Sequence, residues 1–267
     1  QAKTLFPYTT LFRSNLAACG GGGGGSTQAP AAGSTDSSSS TGSGNSGSNA
    51  PTVHAAGLWS GTTSGGGTTK TVILDDGSFY VFYSAAADKT ALGGVVQGDT
   101  SLLGTGLASS NAIDFNWEGF GGTRATVSGS FDTLRNLNAS VTNDATPSRN
   151  FSFTAAYQPG SASVVNLADL AGTFANTDRS MAINISATGV ISGFAFASNC
   201  QVTGTVTPTS NYTTVMNLSL TFLGGTCSYG TSTISGVALY NQANKELAGV
   251  ALDSARSSAA LFQARKP

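Results

Sequence analysis

Lys70-Thr71-Val72-Ile73-Leu74-Asp75-Asp76-Gly77-Ser78-Phe79-Tyr80-Val81-Phe82-Tyr83-Ser84 reads as two apolar runs around an acidic glycine turn. β-Branched and aromatic residues flanking an Asp-Gly pair are the strongest short-range signal for a β-hairpin. With Asp76-Gly77 as a two-residue turn, Leu74 pairs with Phe79 and Val72 with Val81 on the core face. Ile73 with Tyr80 and Thr71 with Phe82 then lie on the other face, so both faces are apolar. The face carrying Tyr80 and Phe82 is covered by the other domain or a loop, or it is a contact surface for a macromolecular partner, because exposed apolar patches mark interaction sites.

The same texture continues on both sides of this hairpin. After Pro51, short runs of Val, Ile, Thr, Phe and Tyr are broken by Gly, Asn and Asp every 8 to 12 residues, with no sustained helical period. Met181, Ile183 and Ile185 alternate with Ala182, Asn184 and Ser186, and a Thr188-Gly189 turn pairs Ile185 with Ser192, Ile183 with Phe194 and Met181 with Phe196. Tyr212, Thr214, Met216, Leu218, Leu220 and Phe222 repeat the alternation. About eight strands fall between Gly57 and Tyr157 and eight between Leu170 and Arg265, joined by residues 158–166. Closing each set would remove the unpaired edges that an all-β chain must otherwise protect. The expected fold is all-β, with two consecutive antiparallel meander domains of barrel type, residues 51–160 and 167–267. Gly57-Leu58-Trp59 and Gly172-Thr173-Phe174 open the two halves alike, which leaves duplication and two unrelated meanders both open.

Residues 20–49 are nearly all Gly, Ser, Thr, Ala, Gln and Asn, which cannot bury enough apolar surface to offset ordering entropy. Residues 15–50 are therefore expected to form a tether, with an r.m.s. span of about 30 Å and a limit of roughly 100 Å when pulled straight. Immediately before it, Leu16-Ala17-Ala18-Cys19 followed by six glycines, Gly20 to Gly25, resembles the lipobox of bacterial lipoproteins. That resemblance implies cleavage before Cys19, lipidation of its sulfur and amine, and a membrane contact through the acyl chains at about 0.8 kcal/mol per buried methylene. Gly20, in place of an Asp that resembles an inner-membrane retention signal, favours the outer membrane. Residues 1–14 have neither a basic start nor the apolar run of a signal peptide. They resemble a translated sequencing-library adapter.

A lipidated cysteine, a glycine run, a polar tether and two β-rich domains resemble the plan of surface lipoproteins such as factor H binding protein and transferrin-binding protein B. The resemblance implies barrels that bind host proteins at the cell surface. It is specific only at Leu16 to Gly25; no Gly-Pro-rich barrel motif is present, and the cysteine pair is a departure. The Gly57-x-Trp59 and Gly172-x-Phe174 openings look like the first strand of lipocalin or avidin barrels, which implies a second reading, a barrel holding a small apolar ligand.

Charged residues make up 9% of the chain and the formal net charge is -1, with the twelve Lys and Arg scattered, which argues against nucleic-acid binding. Cys200 and Cys227 are expected to form a disulfide, in keeping with an oxidising compartment; neither has a His or third Cys nearby to suggest metal. Catalysis has little material. The single histidine, His54, sits where the tether meets the first domain, and no Gly-x-Ser-x-Gly elbow accompanies it. Asp114 and Glu118 read as charges on the wet face of a strand rather than a glycosidase pair. Asp75-Asp76-Gly77 reads as turn chemistry rather than a calcium loop. No cofactor, no metal and no enzymatic activity are expected; binding or adhesion at the cell surface is.

Overall fold

The computed structural model describes residues 55–119, 121–159, 165–209 and 214–267. Cys19, the lipobox, the tether, residues 1–14, His54 and Tyr212 lie outside them. Nine strands form the first half: β1 (Gly57–Thr63), β2 (Thr68–Ile73), β3 (Ser78–Ser84), β4 (Leu92–Asp99), β5 (Ser101–Leu103), β6 (Gly106–Asn116), β7 (Gly121–Asp132), β8 (Asn136–Asn143) and β9 (Phe151–Tyr157). β9 pairs with β1 and β4 with β6, so eight of them close into an antiparallel barrel, and short β5 extends the edge of β6. A one-turn helix, α1 (Leu167–Leu170), leads into β10 (Gly172–Ala175), β11 (Met181–Ile185), β12 (Val190–Ala195), β13 (Cys200–Pro208), β14 (Val215–Phe222), β15 (Thr233–Asn241), β16 (Glu246–Leu252) and β17 (Ala259–Arg265). These eight close into a second barrel. The all-β, two-barrel architecture read from the sequence is the one observed.

The registers of the two key hairpins differ from expectation by one residue, for one shared reason. In β2–β3 the loop is three residues, 75–77: Gly77 N donates to Leu74 O at 3.0 Å and Leu74 N to Ser78 O at 2.8 Å, with Gly77 at φ 85°. In β11–β12, Gly189 N donates to Ser186 O at 3.0 Å and Ser186 N to Val190 O at 2.9 Å, with Gly189 at φ 81°. A type I turn followed by a left-handed glycine is a three-residue connection, and one extra loop residue moves the pairing by one. Ile73 therefore faces Phe79, Val72 faces Tyr80, Thr71 faces Val81 and Lys70 faces Phe82. Ile185 faces Ile191, Ile183 faces Gly193 and Met181 faces Ala195. The second shift has a visible result: Phe194 and Phe196, expected inside, stand on the outer wall, where Phe196 is 56% exposed.

Among the described residues, three apolar cores hold the molecule together. Trp59, Phe79, Val81, Phe131, Leu137 and Phe153 fill the first barrel. Phe174, Ile185, Met216, Leu218, Phe222 and Phe262 are among those that fill the second, with Met216, Leu218, Leu220 and Phe222 inward as their alternation requires. The third core joins the two outer walls: Val72, Tyr80, Phe82, Val95 and Phe115 pack with Val215, Val237, Leu239, Val250, Leu252 and Leu261. Polar contacts border it. Gln263 accepts from Leu92 N at 2.8 Å and donates to Thr90 O at 2.9 Å, while Arg256 donates to Asn111 O, Gln97 O and Asp99 Oδ2 at 2.7, 3.1 and 3.2 Å.

Cys200, at the start of β13, is bonded to Cys227, in the loop after β14, with Cα atoms 4.8 Å apart. Closing a loop with a sequence separation of 27 residues removes unfolded-state entropy worth about 3.5 kcal/mol in the chain-entropy model. Reduction is expected to lower the unfolding free energy by about that amount, as measured by denaturant titration with and without a phosphine reductant. A change below about 1 kcal/mol would contradict a stabilising role for the bond.

Candidate functional site

The four barrel ends differ. Where the chain enters the first barrel, Trp59 Nε1 donates to Ala55 O at 3.1 Å and Tyr157 meets the indole edge-on at 5.2 Å, which closes that end. In the second barrel, Leu170 of α1 plugs one end, held by Lys266 Nζ donating to Ala171 O at 2.9 Å. The disulfide lies at its other end, where Tyr229 stacks on Phe222 at 4.7 Å. An apolar void within this second barrel, between Met181, Leu220 and Phe262, measures only about 20 Å³.

The remaining end, at the β1–β2 turn, opens into a mouth of about 590 Å³. Its rim carries Ser64, Lys89, Glu118 and Ser148, and its floor is a buried polar network around Asp114. The strand pattern of β6 explains how a carboxylate arrives there. The pairing of β6 with β7 shifts between Ser109 and Ala112, a bulge that reverses which residues face inward. Ile113 and Phe115 then point to the joint between the barrels, and Asp114, 1% exposed, points into the mouth. The expected solvated strand face for Asp114 is thus corrected by an extra residue in the strand.

Both oxygens of Asp114 are engaged. Tyr83 Oη donates to Oδ1 at 2.6 Å, and Arg149 Nη2 donates to Oδ2 at 2.5 Å. Asn116 Nδ2 donates to Tyr83 Oη at 3.2 Å, and Thr123 Oγ1 donates to Asn143 Oδ1 at 2.9 Å, which ties the network to β7 and β8. Burial raises the Asp114 pKa above the ordinary carboxylate value, more than Tyr83, Arg149 and Asn143 lower it. Burial, followed by the adjacent Asp114 charge, raises the Tyr83 phenol well above its ordinary value. A carboxylate held on both oxygens beside a phenol that resists ionisation forms a polar floor whose groups are already paired with one another. Glu118, at the rim, accepts from Ala86 N at 3.2 Å and is held by the loop rather than paired with Asp114.

Of the residues singled out from sequence, Cys200 and Cys227 are joined, and Tyr80 and Phe82 lie on the outer wall of the first barrel, 8% and 4% exposed. The second barrel covers both rings, so in this protein they do not offer an open face to an outside partner. Tyr83, Asn116, Asn143 and Arg149 were not foreseen. Among the described residues, no cluster of three or more His, Cys, Asp or Glu side chains is arranged to hold a metal ion, and no helix is long and apolar enough to cross a membrane.

No protein-family model and no curated protein matches this chain. Among solved structures, it is similar to a point mutant of the vaccine antigen transferrin-binding protein B from Haemophilus parasuis Hp5, at 9% identity and a TM-score of 0.28. The match covers 75% of this chain and spans 66% of that protein.

Proposed function

We propose that this is a lipid-anchored, non-enzymatic binding protein of the bacterial outer membrane, displayed at the cell surface, with the mouth of the first barrel as its recognition end. The observation that carries the reading is the contrast between the barrels. One is filled with side chains and plugged at both ends, and the other opens into about 590 Å³ of mixed charged and neutral lining. A void of about 20 Å³ lies far below the roughly 300 Å³ of a small-molecule pocket, so the filled second barrel speaks against a small apolar ligand there. The chain enters the first barrel at Gly57, and the mouth lies beyond Thr63 at the far end of β1.

Localisation has a direct test. Expressed behind a bacterial lipoprotein signal peptide that ends at Ala18, the chain is expected to partition into detergent and to be digested by protease added to intact cells. Cys19→Ser is expected to leave it soluble or uncleaved. Recovery of both forms in the same soluble fraction would contradict the anchor.

A further inference from the structure

The outer wall of the second barrel, away from the joint, carries an unusual transverse row. Thr173 faces Asn184, Asn184 faces Ser192, Ser192 faces Thr203, Thr203 faces Thr221 and Thr221 faces Thr233, so one hydroxyl or amide projects from each of six successive strands, β10 to β15. Adjacent strands lie about 4.8 Å apart, which sets the pitch of the row. Beside it run Ala182, Phe194 and Gln201, also paired across strands, with Leu223, 51% exposed, at the edge. Phe196 meets Phe194 edge-on at 4.9 Å and props that ring. Phe194 and Leu223 thus wall one side of a groove of about 390 Å³ whose floor includes Asn184, Ser192 and Thr203. No residue lining it is ionisable.

We infer that this groove binds an uncharged carbohydrate chain. An aromatic ring offers its face to the apolar C–H side of a sugar, and a row of amides and hydroxyls can both donate to and accept from sugar hydroxyls. A charged ligand would lose hydration here with no counter-charge in return, so the charge character of the groove selects a neutral one. Its volume lies within the range of small-ligand sites. The regular spacing of the row suits a polymer that repeats its hydroxyls, rather than one compact molecule. This inference concerns the other barrel and does not rest on the mouth.

The test is saturation-transfer NMR of the full chain with cellohexaose, maltohexaose and a heparin hexasaccharide at millimolar concentration. Transfer to the ring protons of a neutral hexasaccharide is expected, with none to heparin. Phe194→Ser is expected to weaken binding about tenfold or more. Because Phe194, although on the outer wall, also borders the small apolar void beside Gly193, Ser192→Glu on the wet face is the second variant; it places a charge in the groove without touching the core and is expected to weaken binding similarly. The inference is overturned by no transfer to either neutral probe, by undiminished transfer in both variants, or by stronger transfer to heparin. A concentration-dependent dimer that Phe194→Ser abolishes would overturn it too, since a second copy would then occupy the groove.

Discussion

Replacing Tyr80 and Phe82 together by serine is expected to split the thermal unfolding of this protein from one transition into two. The two rings bury about 300 Å² between the barrels, and moving that area back into water costs about 7 kcal/mol of transfer free energy. Neither side chain contributes to the interior of the first barrel, which is filled by Phe79 and Val81 from the opposite face of β3. The loss therefore falls on the joint. Each barrel keeps its own closed ladder and core, while Val237, Leu239 and Val250 lose their partners across the seam. Calorimetry reads the outcome. A single transition of unchanged midpoint in the double variant would mean that the shared core does not couple the barrels.

The second large effect is expected at the floor of the mouth. Arg149→Gln removes the counter-charge of Asp114 while leaving a carboxylate that is 1% exposed. Breaking a buried ion pair from one side typically costs about 3–5 kcal/mol. The sign of its pH dependence follows from the raised pKa of Asp114, which loss of Arg149 raises further. A carboxyl whose folded pKa exceeds its unfolded value contributes stability that is present below the unfolded pKa and lost as pH rises through the folded one. The deficit of Arg149→Gln is thus expected to be small near about pH 4 and to grow toward about pH 7. Denaturant titrations at the two pH values check it, and a deficit that shrinks with rising pH would contradict the electrostatic assignment.

These two sites also show where the sequence was legible and where it was not. Strand number, barrel halves and the Cys200–Cys227 bond follow from local alternation, turn residues and a pair of cysteines with no third partner nearby. Register did not follow, because Asp76-Gly77 and Thr188-Gly189 suit either a two-residue turn or a three-residue loop with glycine in its last position, and backbone geometry decides between them. The apolar second face of β3 was visible in Phe79-Tyr80-Val81-Phe82-Tyr83, but its cover comes from strands β14 to β17 near the other end of the chain. The mouth was the least visible part. Asp114 meets Tyr83 across 31 residues of sequence and Arg149 across 35, and the bulge that turns it inward lies in Ser109-Ser110-Asn111, a run with no apolar pattern to betray it.

The most direct test of the proposed binding role uses cells displaying the anchored chain, rinsed over a surface coated with serum proteins. Lys89→Glu with Ser148→Trp reverses a charge and fills space at the exposed rim of the mouth without touching the Asp114 network. Retention well above that of cells lacking the protein, lost in this double variant and kept in Ser192→Glu on the second barrel, is the predicted result. Equal retention of wild type and the rim variant, or no retention by either, would contradict recognition through the mouth of the first barrel.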